Sequence, residues 1–119
     1  MSVTDVHDLC VVFVQFSKQQ RVDFLKNIRP QQCEIIQMIA YNTLLNTHLE
    51  ISTEDRSYLR RHVSSIRKLA SSKICTQEKR GILVKKAPVV YRLMQIALTY
   101  IEQEMASKKR DDDDDKDIE

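Results

Sequence analysis

Arg56, Arg60, Arg61, Arg67, Lys68 and Lys73 crowd one short stretch, "RSYLRRHVSSIRKLASSK", and Lys79, Arg80, Lys85, Lys86 and Arg92 follow closely. Guanidinium and ammonium groups at this density suit one chemistry above others, the holding of phosphates or carboxylates. Between residues 56 and 92 eleven bases face Glu78 alone, a net charge of +10. Ordinary surfaces mix signs and gain from acid–base pairs three or four residues apart, so this block repels itself unless an anion offsets it. The anion can come from outside, as nucleic-acid phosphate or anionic lipid, or from inside, as an acidic segment folding back. The common alternative is a merely solvated face, against which the single acid argues.

Acid flanks the block on both sides. Residues 1–55 carry a net of −3 and residues 93–119 a net of −5, and the whole-chain charge of +2 conceals both. The predicted binding set is Arg60, Arg61, Arg67, Lys68, Lys73, Lys79, Arg80, Lys85 and Lys86, forming one electropositive surface. No zinc-finger spacing, aromatic RNA-binding signature or helix-turn-helix glycine accompanies it, so DNA or RNA would be held by its backbone, nearly blind to sequence.

Other chemistries find little material. His7, His48 and His62 have no Cys or acid at metal-ligand spacing, so no metal site is expected. Gly81 is the single glycine, which leaves no glycine-rich loop to cradle a nucleotide. Cys75 sits among Lys73, Lys79 and Arg80, which would favour a thiolate. No base stands beside it, so it reads as a boundary residue; no catalytic residue and no cofactor is expected, and the chain is read as non-enzymatic. Tyr41, Tyr58, Tyr91 and Tyr100 could stack on bases, yet each falls on or near an apolar stripe, where packing is the plainer role.

The elements that would carry these residues are helices. With 119 residues, one Gly and two Pro, the chain suits a single all-α domain and offers little for tight hairpins. Hydrophobic residues at 42% and charged residues at 30% place it among globular chains. Cys10, Cys33 and Cys75 are an odd, widely spaced set, read as reduced thiols, with Cys10 and Cys33 as small core residues. No apolar run is long enough for membrane insertion and acids precede the first apolar stretch, which argues for an intracellular setting, nucleus or cytoplasm.

Periodicity predicts four to six helices within residues 1–107. Val6, Leu9, Cys10, Phe13, Val14 and Phe16 give a first helix, although "CVVFV" could also form a buried strand. A short helix follows Ser17, and "IRP" ends it because a residue before proline avoids helical geometry. Ile35, Ile36, Ile39, Ala40 and Leu44 mark the next. Ser52 and Asp55 resemble a capping box opening the basic helix, whose inward stripe is Leu59, Val63, Ile66 and Ala70. A short helix starts at Thr76, and Pro88 opens a last one with Leu93, Ile96, Ala97, Tyr100 and Ile101 inward. Ile39, Leu59, Ile66, Leu69, Leu93 and Ile96 are the expected core. The charged tail 108–119 should be disordered; its "DDDDK" also matches a protease site engineered into expressed proteins, with a native acidic tail the preferred reading.

From Cys33 to about Leu93 a set of short patterns recurs in one known group. They are Asn42, Leu44 and Asn46 ending an apolar helix, the link "HLEIS", Leu-Arg-Arg-His at 59–62, Arg-Lys-Leu-Ala at 67–70, and Lys79, Arg80 and Leu83. In these it resembles a small basic helical protein of Polinton (Maverick) elements and adintovirus-like DNA viruses. That family usually continues with Gly-Gly-Phe, where this chain has Ala87, Pro88 and Val89 and then a polar-ended helix. The resemblance implies a minor virion or core protein contacting packaged DNA. A second class fits the residues too: a helical interaction module for an acidic or amphipathic protein partner, or a homo-oligomer.

Overall fold

The structure, a computed structural model, describes residues 3–45, 51–72 and 76–118, with side chains at 4–45, 51–72 and 77–106. Seven helices occupy it: α1 Val3–Gln15, α2 Lys18–Lys26, α3 Pro30–Leu45, α4 Thr53–Arg61, α5 Val63–Ala70, α6 Thr76–Lys85 and α7 Ala87–Ile118. No strand occurs among the described residues, so "CVVFV" is helical. The tail 108–119 lies outside the residues whose side chains are described.

Local chemistry explains most of the boundaries. Ser17 caps α2 in a reciprocal box, its hydroxyl accepting from Gln20 N while Gln20 Oε1 accepts from Ser17 N. Pro30 opens α3, where its missing N–H costs nothing. Ser52 caps α4 by accepting from Asp55 N at 3.1 Å. The carboxylate of Asp55 does not complete that box; it turns to Arg92 on α7, 2.7 Å away.

The basic helix, expected as one rod, is two. His62 takes φ −113° and ψ 16°, leaving helical geometry for one residue and dividing α4 from α5. Each helix ends its ladder on this residue: His62 N donates to Tyr58 O and Leu59 O, His62 O accepts from Ile66 N, and among the described residues no N–H of α5 bonds to a carbonyl of α4. This division accounts for the one helix beyond the expected six.

The core is a single cluster to which every helix contributes. α1 lies antiparallel against α7, with Cys10 Sγ 3.6 Å from Met94 Sδ and His7 Nε2 3.8 Å from Glu102 Oε1. α3 packs mainly on α5 and also on α7, while α2 packs on α6. Ile39, Ile66, Leu69, Leu93 and Ile96 are buried as expected; Leu59 is half-buried. Phe13, Phe16 and Phe24 close one end, their ring centroids 5.8–6.5 Å apart in tilted and edge-on contacts.

Cys10 and Cys33 are buried thiols. Burial pushes the Cys10 pKa up to about 11 and raises that of Cys33, where nearby Lys79 and Arg80 pull the other way. No described helix is long and apolar enough to cross a membrane.

Candidate polyanion interface

α5 buries Ile66 and Leu69 against α3. At 100° per residue, Arg67 and Lys68 then stand on either side of the outward direction, and both are exposed. α4 repeats the arrangement less deeply. Tyr58 and Leu59 are half-buried against the core, which turns Arg56, Arg60 and Arg61 to solvent. Because both helices turn their apolar side to the same core, with one residue between them, their cationic faces follow one another along the chain.

No acid among the described residues comes within ion-pair distance of Arg56, Arg60, Arg61, Arg67 or Lys68. Asp55, on α4 with them, is committed to Arg92. Exposed Ser57 and Ser64 lie between the cations, adding hydroxyl donors to the guanidinium forks. Such a face can hold phosphate oxygens, with the long stems free to adapt to a backbone of irregular spacing.

The nine predicted residues do not form one surface. Arg60, Arg61, Arg67 and Lys68 belong to the α4–α5 face, and Lys73 lies outside the described residues. Lys79 is only 5% exposed, its ammonium donating to Gln37 Oε1 on α3. Arg80 is half-buried and donates to Ile28 O at 2.9 Å, so it ties α6 to the α2–α3 link instead of facing solvent. The reason is packing: α6 lies against α2, α3 and α5, which covers Lys79 and half-covers Arg80. Lys85 and Lys86 sit at the α6–α7 junction, about 15 Å along α6 from its start. Lys85 is exposed and Lys86 half-buried.

Two residues outside that set belong to the site. Arg56 lies one turn before Arg60 on α4, and the spacing of four could have identified it. Arg92 had no such signal. It reaches across from α7 and places its guanidinium 4.7 Å from the Tyr58 ring centroid, with Arg61 5.9 Å from the same ring. Tyr58, Arg61 and Arg92, with Thr53, Glu54 and Ser57, line an open cavity of about 350 Å³.

The tyrosines divide. Tyr91 stacks under Arg21, 4.0 Å from guanidinium to centroid, and Tyr58 packs with His62 as well as the arginines. Tyr41 and Tyr100 are exposed, so of the core or rim packing expected of the tyrosines neither takes the core role. Among the described residues no group of three His, Cys, Asp or Glu side chains is placed to hold a metal ion. No protein-family model matches the chain, and no curated protein or solved structure does.

Proposed function

We propose that the protein binds nucleic acid through its phosphates, without sequence preference, using Arg56, Arg60, Arg61, Arg67 and Lys68 on the outward faces of α4 and α5. The observation that carries this reading is that all five are exposed and none has an acid partner among the described residues. Cations left unpaired on two successive helices repel one another, and a phosphate backbone relieves that repulsion while releasing its own counterions. Sequence readout would need side chains fixed toward base edges, and long exposed stems are poorly suited to that. The resemblance to Polinton-type basic proteins supplies a setting, that of a minor virion or core component on packaged DNA, in the nucleus, the cytoplasm or the particle.

The test is a salt titration of binding to two unrelated duplexes of equal length. Five contacts predict a log–log slope of about −4 to −5, alike for both sequences. Failure to bind either duplex at low salt would remove this reading.

A second reading, a helical module for an amphipathic or acidic protein segment, is favoured by α7. Tyr100 and Met105 are exposed there, and Tyr100 helps Ile51 and Ile96 to line a cavity of about 160 Å³. A defined protein partner retained after nuclease treatment would select it.

A further inference from the structure

Ser64 is exposed on the first turn of α5. On a helix surface the neighbours of a residue stand three and four positions away, about 5–6 Å between Cβ atoms. For Ser64 the positions on α5 are Arg67 and Lys68, and the same spacing toward the N-terminus, across the turn at His62, gives Arg60 and Arg61, so all four are cations. Arg67 and Lys68 share α5 with Ser64, whereas Arg60 and Arg61 stand across the turn at His62, with no backbone hydrogen bond fixing their register to α5, and come to Ser64 by the reach of their long side chains. Arg61 lies over Tyr58, 5.9 Å from its ring centroid, and no such ring contact holds Arg60, Arg67 or Lys68 among the described residues.

We propose that Ser64 is a phosphoacceptor for a protein kinase directed by upstream arginines, and that the phosphate, once formed, is clamped by Arg60, Arg61, Arg67 and Lys68. In the transfer, Ser64 Oγ bonds to the γ-phosphorus of Mg-ATP and the bond from that phosphorus to the β,γ-bridging oxygen breaks. ADP leaves with the electron pair, and the hydroxyl proton passes to the kinase's carboxylate base. Arg60 and Arg61 precede Ser64 by four and three residues, where an acidic substrate groove would engage them.

Entry into that groove requires an extended segment, and the α4–α5 junction is the place to open. α4 contains no fully buried residue, His62 caps α5 without a side-chain hydrogen bond, and the helices are short. Ser65, the adjacent hydroxyl, is half-buried and so less open to a kinase. A dianion at Ser64 forms charge-assisted bonds to the cations that would otherwise hold nucleic-acid phosphate. The resulting loss of duplex binding rests on the nucleic-acid reading; the transfer and the clamp do not, and are measured apart from it.

The intact chain is incubated with an arginine-directed kinase and Mg-ATP, and the modified residue is located by mass spectrometry. Phosphate on Ser64, absent in Ser64→Ala, is the expected result; no transfer, or transfer only to another residue, overturns the proposal. Phosphorus NMR then follows the second ionisation of the phosphate. The clamp should lower it below the ~6 of an unclamped phosphoserine, and Arg67→Gln with Lys68→Gln should return it toward that value. A titration identical to that of a free phosphopeptide overturns the clamp. Duplex binding by the phosphorylated protein should show a salt slope shallower by about two units. Unmodified protein that never binds duplex sinks the nucleic-acid reading alone.

Discussion

Arg92 on α7 donates to Asp55 on α4 across 2.7 Å, and the same guanidinium lies 4.7 Å from the Tyr58 ring centroid. One side chain thus holds the first two turns of a helix that has no fully buried residue of its own. Asp55 also caps electrostatically, standing in the first turn where the helix dipole favours a carboxylate. Both partners are partly exposed, so the pair should be worth no more than about 1 kcal/mol. Asp55→Asn should destabilise by that order in urea, and a double-mutant cycle with Arg92→Met should recover the coupling. The same Asp55→Asn change frees a cation beside the α4 face, so duplex affinity should rise while stability falls. A fall in both would mean that α4 unfolds when the pair is lost.

Ile66 is fully buried between α5 and α3, whereas Val63, one turn earlier, is half-buried. Ile66→Ala should cost about 2–5 kcal/mol, the range for a truncated core aliphatic. Val63→Ala should cost clearly less because less surface returns to water. Equal losses in denaturant titrations would show that α5 rolls to bury both.

The apolar half of the molecule was legible from periodicity. Ile35, Ile36 and Ile39 on α3, Ile66 and Leu69 on α5, and Leu93 and Ile96 on α7 recur at three and four residues, and that repeat fixes an inward face whatever the partners are. The division at His62 was not legible, since no proline or glycine marks it and one residue's ψ makes it. The fate of individual cations was also hidden. Lys79 and Lys68 look alike in sequence, and only the packing of α6 beneath its neighbours commits the first to Gln37 while the second stays in solvent. Asp55 looked like half of a local box, but a partner thirty-seven residues away outcompetes Ser52 N for its carboxylate.

That difference between Lys79 and Lys68 can be measured. Arg67→Glu with Lys68→Glu should weaken binding to both duplexes together and leave the helical circular dichroism unchanged, because both side chains are exposed. Lys79→Met should leave duplex binding unaltered and change stability instead. The companion change Gln37→Leu should be the more harmful, by about 1–3 kcal/mol, since it strands a buried ammonium without its acceptor, whereas Lys79→Met removes the charge itself. If Lys79→Met weakened duplex binding as much as the pair at 67 and 68, the α6 cations would have to be counted within the interface.

Cys10 makes stability depend on alkali. Its thiol is fully buried, contacts Met94 Sδ and has its pKa raised from 9.0 to about 11 by desolvation. A neutral group whose folded pKa lies above its unfolded one binds its proton more tightly when folded. Its contribution is therefore complete below the unfolded pKa of 9.0 and is lost as pH rises toward 11. A shift of that size corresponds to roughly 2–3 kcal/mol once the whole window is crossed. Cys33 acts in the same direction through its burial, with Lys79 and Arg80 opposing it. Tyrosines and lysines titrate in the same region, so the useful quantity is the difference between wild type and Cys10→Ala. Urea midpoints should fall more steeply with pH for the wild type above pH 9, and the Cys10→Ala variant should lose that extra slope while keeping its far-ultraviolet spectrum. Parallel pH profiles for the two proteins would mean that water reaches Cys10 in the folded state, and that α1 and α7 separate more readily than their packing implies.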